Sequence, residues 1–309
     1  MIVFYHGDMD GIAAANIYLQ EHRMETYIKI KAFEFLYDKE DDILKKVGVG
    51  YIREDIVFVD CCPTEETLET IIPRAKTVTI LDHHITKKEV VDKFYKEGLI
   101  DGLSYIGASA TLITWCWFHF DKDIGKITLF LDKFGTGKTA QDKSDVPLSI
   151  KLINSWDIWN GLYIDAEPYK IYFETQNLSP IDNQTTDLID NDLMVSRAVR
   201  DGYVMMQYFH NWGQRYCKRF GYKVKYEENT FFVLNVGNAN SKIFGDIIYE
   251  YDAVIIYCFD GKVYRCSIYS QKETFDCAKF AEQLDGGGHK GAAGFVLKKL
   301  PSWLTKEIK

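Results

Sequence analysis

Short apolar runs alternate with amphipathic stretches along the first part of the chain. Residues 2–5 form a β-prone run, and 11–22 carry alanines at helical spacing. Residues 28–33 alternate as a strand, and 41–47 read as a helix. The pattern repeats with a strand over 55–59, a helix over 65–75, a strand over 76–81 and a helix over 87–97. Strands alternating with helices predict an α/β domain built on a parallel sheet. Residues 108–120 predict a buried helix, and the polar, glycine-containing stretch 134–146 predicts a loop. A long proline-free helical pattern over 191–220 reads as a connector. Beyond it, strands near 231–236, 253–259 and 263–269, a helix near 277–284 and a glycine-rich turn into 294–297 predict a smaller α/β unit. The expected organisation is a domain over 1–190, a helical linker over 191–225 and a second domain over 226–309.

Composition narrows the class. The 309 residues are 47% hydrophobic and 27% charged, the balance of a globular protein of about two domains. No uncharged apolar run approaches the ~20 residues of a membrane helix. The start, MIVFYHGDMDG, lacks the basic region of a signal peptide. Seven cysteines without a CxxC pair fit reduced thiols, so a cytoplasmic protein with no membrane partner is expected. The net charge of −8 is concentrated before residue 230. Such a chain is a poor binder of long nucleic acid, but bound cations would let it act on a phosphate.

The candidate chemistry lies where strands end. His6, Asp8 and Asp10 follow the first strand, Asp60 ends IVFVD, and Asp82, His83 and His84 end TVTILD. In a parallel sheet those ends face one crevice, where ligands bind. A single strand-end aspartate is commonly a cap or turn residue; three such sites in register are not. Converging carboxylates repel unless cations lie between them. Mixed carboxylate and imidazole donors suit manganese, with iron, cobalt or zinc as alternatives and magnesium a weaker match. Two ions ~3.5–4 Å apart would need a carboxylate between them, for which Asp60 is well placed. Asp157, in INSWDIWN, is the best further contributor, and Asp82 is suited to orienting the histidines. Trp156 and Trp159 flank that site as candidate base-stacking groups. Cys61 and Cys62 are expected to pack as small apolar residues. GTGKT at 135–139 lacks the earlier glycine of a nucleotide loop.

Near the C-terminus, GGGHKGAAGF places Gly286, Gly287, Gly288 and His289 where backbone N–H groups can approach an anion. On the strand RCSIYS, Arg265, Ser267 and Tyr269 share one face.

HGDMDGIAAA, VFVDCCP, ILDHHIT and INSWDIWN resemble, in order, the four metal-site motifs of the DHH phosphoesterases, and GGGHKGAAGF resembles the signature of their C-terminal DHH-associated domain. The resemblance runs from about Ile2 to Leu297. It implies a hydrolase with two Mn2+ ions, Mg2+ or Co2+ being alternatives, and an active site between two domains. It implies one metal on His6, Asp8 and Asp60, and the other on Asp10, Asp60, His83 and Asp157. His84 would face the scissile phosphate or protonate the leaving group. Gly286, Gly287, Gly288 and His289 would hold a substrate phosphate or terminal nucleotide. The first motif here is HxDxD where larger members often have HxxxDxD. Tyr269 stands where many relatives have an arginine; either Arg265 on the same strand face takes part of that role or Tyr269 stacks on a base.

Size and charge favour the oligoribonuclease-like, nanoRNase branch over RecJ-like exonucleases. The expected substrate is therefore short single-stranded RNA or DNA or a dinucleotide, hydrolysed by a monomer or homodimer. A cyclic dinucleotide or 3′-phosphoadenosine 5′-phosphate is the alternative substrate, and a non-catalytic nucleotide sensor is the alternative of another class.

Overall fold

The computed structural model describes residues 1–22, 30–48, 53–135 and 137–305. They divide into two compact units, Met1–Met205 and Met206–Lys309. In the first, strands β1 (Ile2–His6), β2 (Lys31–Phe35), β3 (Asp55–Val59), β4 (Thr77–Asp82) and β5 (Asp101–Ser104) alternate with helices α1 (Met9–His22), α2 (Asp41–Val47), α3 (Glu65–Ile71) and α4 (Lys88–Lys96). All strand pairs are parallel, in the order β2-β1-β3-β4-β5. Residues 28 and 29 of the expected second strand lie outside the described residues.

The two-residue period of β3 sorts its side chains between two cores. Val57 and Val59 join a cluster with Ala13, Leu112 and Ile153, whereas Ile56 and Phe58 join one with Leu68, Ile71 and Val91. A strand buried on both faces must be apolar throughout, and β3 is apolar after its first residue. Its first polar residue after that is Asp60, where pairing stops.

Seven helices follow: α5 (Ala110–His119), α6 (Ile124–Phe134), α7 (Lys138–Asp142), α8 (Leu148–Asp157), α9 (Ala166–Thr175), α10 (Asn183–Asp190) and α11 (Asp192–Phe220). The stretch 134–146 is not simply a loop, because it carries the short helix α7. Helix α11 spans the division between the units.

The second unit holds β6 (Tyr222–Tyr226), β7 (Asn229–Asn235), α12 (Ile247–Glu250), β8 (Ala253–Phe259), β9 (Tyr264–Tyr269), α13 (Cys277–Glu282), β10 (Gly287–His289), β11 (Ala292–Leu297) and α14 (Ser302–Thr305). Its mixed sheet has the order β10-β11-β9-β8-β7-β6, with only β7 and β8 parallel. Residues 222–225, expected within the linker, belong to β6 because Val224 is buried against Phe231 of β7. Among the described residues, no helix is long and apolar enough to cross a membrane.

Candidate metal centre

The carboxyl ends of β1, β3 and β4 and the end of α8 deliver the polar residues of the first unit to one place. His6 ends β1. Asp8 then turns the chain into α1, its Oδ1 accepting a 3.0 Å hydrogen bond from the N–H of Gly11. Gly11 admits no side chain there, since a Cβ would stand 2.1 Å from the His6 carbonyl oxygen. Asp10, in the first turn of α1, is buried and accepts from the backbone N–H groups of Ala110 (2.7 Å) and Thr111 (2.9 Å) at the start of α5. A carboxylate at a helix N-terminus satisfies orphan donors and meets the positive end of the dipole.

Asp60 adopts a left-handed backbone conformation, φ +58°. This geometry is tolerated by aspartate and clusters at functional sites. Its Oδ1 lies 3.1 Å from His83 Nε2 and its Oδ2 lies 3.6 Å from His6 Nδ1. The carboxylate therefore spans two imidazoles. His6 Nδ1 is also 2.9 Å from Asp8. His83 Nε2 is also 3.4 Å from Asp157 Oδ2 and 3.8 Å from Asp10 Oδ2. Three ligand sets result: His6, Asp8 and Asp60; Asp10, His83 and Asp157; and Asp60, His83 and His84.

The electrostatics show negative charge in excess. Burial, then the charges of Asp157 and Asp60, push the carboxyl of Asp10 well above the usual range. Burial, then Asp60 and Asp8, push Asp157 up to about 6 against the pull of His83. His83 is raised to about 10, since Asp60, Asp10 and Asp157 outweigh the burial that would lower it. His6 is raised to about 10 by Asp60 and Asp8. Asp8 is held at about 2, because the bonds from His6 and the Gly11 N–H outweigh its burial. The imidazoles and the backbone N–H groups of Gly11, Ala110 and Thr111 are what offset the carboxylates among the contacts described above. The buried Oδ2 of Asp157 makes no hydrogen bond among the described residues. Cations between the carboxylates would meet both needs, so the donor set fits bound metal.

The eight metal and catalytic candidates of this unit, His6, Asp8, Asp10, Asp60, Asp82, His83, His84 and Asp157, come together. Asp82 is fully buried and accepts a 2.8 Å hydrogen bond from His84 Nδ1. Cys61 and Cys62 are buried, their sulfurs 3.7 Å from the Phe4 carbonyl oxygen and 3.4 Å from that of Pro63, and they pack in the apolar cluster.

The remaining candidates belong to the second unit. Gly287, Gly288 and His289 form β10, which is exposed and pairs with β11. Gly286 and Gly288 have a structural requirement of their own. A Cβ at Gly286 would stand 2.2 Å from the Gly294 carbonyl oxygen, and one at Gly288 2.5 Å from Ala293 Cα. Arg265 of β9 is exposed and its Nε donates to Asp260 at 2.7 Å. Ser267 lies two residues on, between Ile256 and Gly294 of the flanking strands.

Two contributors carried no local signal. Tyr37 sits edge-on to His84 and tilted toward His6, with centroids 6.4 and 6.3 Å away. Lys87 Nζ lies 5.5 Å from the Tyr37 ring. Asn154 of α8 accepts from the Ser109 N–H at 2.8 Å, tying α8 to the start of α5. A lone tyrosine or asparagine in sequence does not announce such contacts.

A solved DHH domain, described as a member of the s1p family of ribosomal proteins, aligns with 96% of this chain at a TM-score of 0.50 and 15% identity, over 82% of its own length. This chain has the DHH fold. Other solved structures similar to this DHH-fold chain include a pGpG-specific phosphodiesterase from Vibrio cholerae (TM-score 0.45, 13% identity, 96% of this chain and 93% of that one) and an exopolyphosphatase-related protein from Bacteroides fragilis (0.44, 14%, 98% and 88%). No protein-family model and no curated protein matches the chain.

Proposed function

We propose that this chain is a metal-dependent phosphoesterase that hydrolyses short single-stranded oligonucleotides to mononucleotides. The observation that carries the proposal is the position of Asp60, whose two oxygens face His83 and His6 within one carboxylate-rich site. His6, Asp8 and Asp60 would hold one divalent cation. Asp10, Asp60, His83 and Asp157 would hold the other. The imidazoles favour manganese over magnesium. Two such cations would supply an activated water and neutralise charge on a phosphoryl oxygen.

His84 belongs to the third possible ligand set, but its shortest contact is to Asp82. Its Nδ1 is committed to Asp82, which leaves Nε2 as the nitrogen for substrate. Asp82 also raises the basicity of the ring, so His84 keeps its proton to higher pH. A fixed, protonated imidazole suits donation of a proton to the leaving oxygen. The carboxylate-rich site supports the phosphate chemistry, and the net charge of −8 disfavours long nucleic acid. Gly286, Gly287, Gly288, His289, Arg265 and Ser267 are proposed to bind the substrate phosphate or terminal nucleotide.

The test incubates the protein with manganese and, in parallel, a 5′-labelled two- to five-nucleotide RNA, a long RNA, cyclic di-adenylate and 3′-phosphoadenosine 5′-phosphate. Mononucleotides released preferentially from the short RNA, and lost in Asp82→Ala/His83→Ala, are the expected result. Turnover of only one of the other substrates reassigns the activity. Manganese bound with no turnover of any substrate overturns the enzymatic reading in favour of a nucleotide sensor.

A further inference from the structure

Helix α8 ends at Asp157, and the chain reverses two residues later at Trp159. The Trp159 N–H bonds the Trp156 carbonyl at 3.2 Å, and Trp159 adopts φ +52°. This left-handed position after a helix is where glycine or asparagine is strongly preferred, because a side chain is strained there. Glycine does occupy the next left-handed position, Gly161 at φ +64°. With its bulky side chain, Trp159 is an outlier at this backbone position. It is also 74% exposed, so burial does not explain it either.

The loop is nonetheless firmly built. Asn160 Oδ1 accepts from the Ser155 hydroxyl at 2.8 Å and the Leu162 N–H at 3.0 Å, and the Tyr163 N–H bonds Ser155 Oγ at 3.2 Å. The Trp159 ring rests on that of Trp156, centroids 4.8 Å apart at 40°. Trp156 packs on the core of the first unit and has Lys170 Nζ 5.2 Å from its ring centroid. One indole is thus anchored, and the other is held against it and left in water, two residues from a candidate metal ligand. Strain held in place by surrounding structure marks ligand clamps.

We propose that Trp159 is a base-stacking platform for a nucleobase of the single-stranded substrate, adjacent to Asp157. This rests on the phosphoesterase reading above and adds the group that receives the base. Stacking uses the π-face that every base has, so the platform selects for an unpaired base rather than for sequence.

The experiment measures binding, with or without turnover. The probe is a phosphorothioate-linked triadenylate RNA, paired with an oligomer of the same length carrying abasic positions. Both are titrated into wild type, Trp159→Phe and Trp159→Ala. Trp159→Ala should lose roughly 5- to 150-fold in affinity for the intact oligomer, with Trp159→Phe retaining most of it. For the abasic oligomer, wild type and Trp159→Ala should bind alike, and manganese affinity should be equal in all three proteins. The assignment is overturned if Trp159→Ala binds the intact oligomer as wild type does, or loses equally for both oligomers. It is also overturned if wild type binds the intact oligomer no better than the abasic one. Stacking without hydrolysis would overturn only the enzymatic reading, whereas hydrolysis unaffected by Trp159→Ala would overturn only this one.

Discussion

Asp82 accepts a 2.8 Å hydrogen bond from His84 through one oxygen, while its other oxygen is buried without a hydrogen bond among the described residues. A buried carboxylate committed to one imidazole orients that ring and sets which nitrogen is free. Asp82→Asn should lower turnover of a short oligoribonucleotide by about 10- to 100-fold. Its manganese affinity should remain near that of wild type, because Asp82 is not in any of the three ligand sets. Parallel kinetics and manganese titration check this; a large loss of manganese binding would make Asp82 a ligand instead.

Asp157 destabilises the metal-free protein once it ionises. Burial and the neighbouring carboxylates raise its folded value to about 6, above the ordinary carboxylate value near 4. Below both values the group contributes nothing. As pH rises between them, the unfolded chain releases its proton first and stability falls. In chelator, Asp157→Asn should therefore unfold at a higher temperature than wild type above pH 6, by about 1–3 kcal/mol of stability. The difference should vanish about one pH unit below the ordinary carboxylate value. Equal thermal midpoints at both pH values would show that the repulsion is relieved in some other way.

Metal binding should release protons. His6 and His83 are raised to about 10 in the metal-free site, so both are protonated at neutral pH and must lose those protons to become ligands. Manganese affinity should rise steadily from pH 6 to pH 9. Calorimetry in buffers of different ionisation enthalpy should report proton release on binding. An affinity that does not change with pH would exclude the two imidazoles from the coordination sphere.

In the second unit, Asp252 accepts from the N–H (2.8 Å) and hydroxyl (2.9 Å) of Thr230 and from Lys272 (3.1 Å). These bonds outweigh its burial and hold the carboxyl below its ordinary value. The stabilisation is therefore present above the unfolded value and lost as pH falls through the lower folded value. Asp252→Ala should reduce stability at pH 7 by about 1–3 kcal/mol. The gap should narrow as pH drops below about 4. Urea denaturation of the full chain at the two pH values measures it.

Much of the candidate centre is legible in the order of residues. β1 and β4 are apolar runs ending in His and Asp, β3 is followed directly by Asp60, and a parallel sheet brings such ends to one edge. The helices between 124 and 190 are less legible. Their mixed apolar patterns do not say which faces meet, and Asp157 gains its meaning from α8 lying against the start of α5. The same limit applies to Tyr37, an ordinary tyrosine until the turn after β2 places it beside two imidazoles.

What the chain alone determines is local: the strand period and the aspartates at strand ends. Only the tertiary structure decides that Asp10 bonds amides a hundred residues away and that Asp60 turns one oxygen toward each of two histidines. Only there is Trp159 left in water in a strained turn. The reason is that charge interaction depends on separation and burial, and neither is written in the order of residues until the chain has closed on itself.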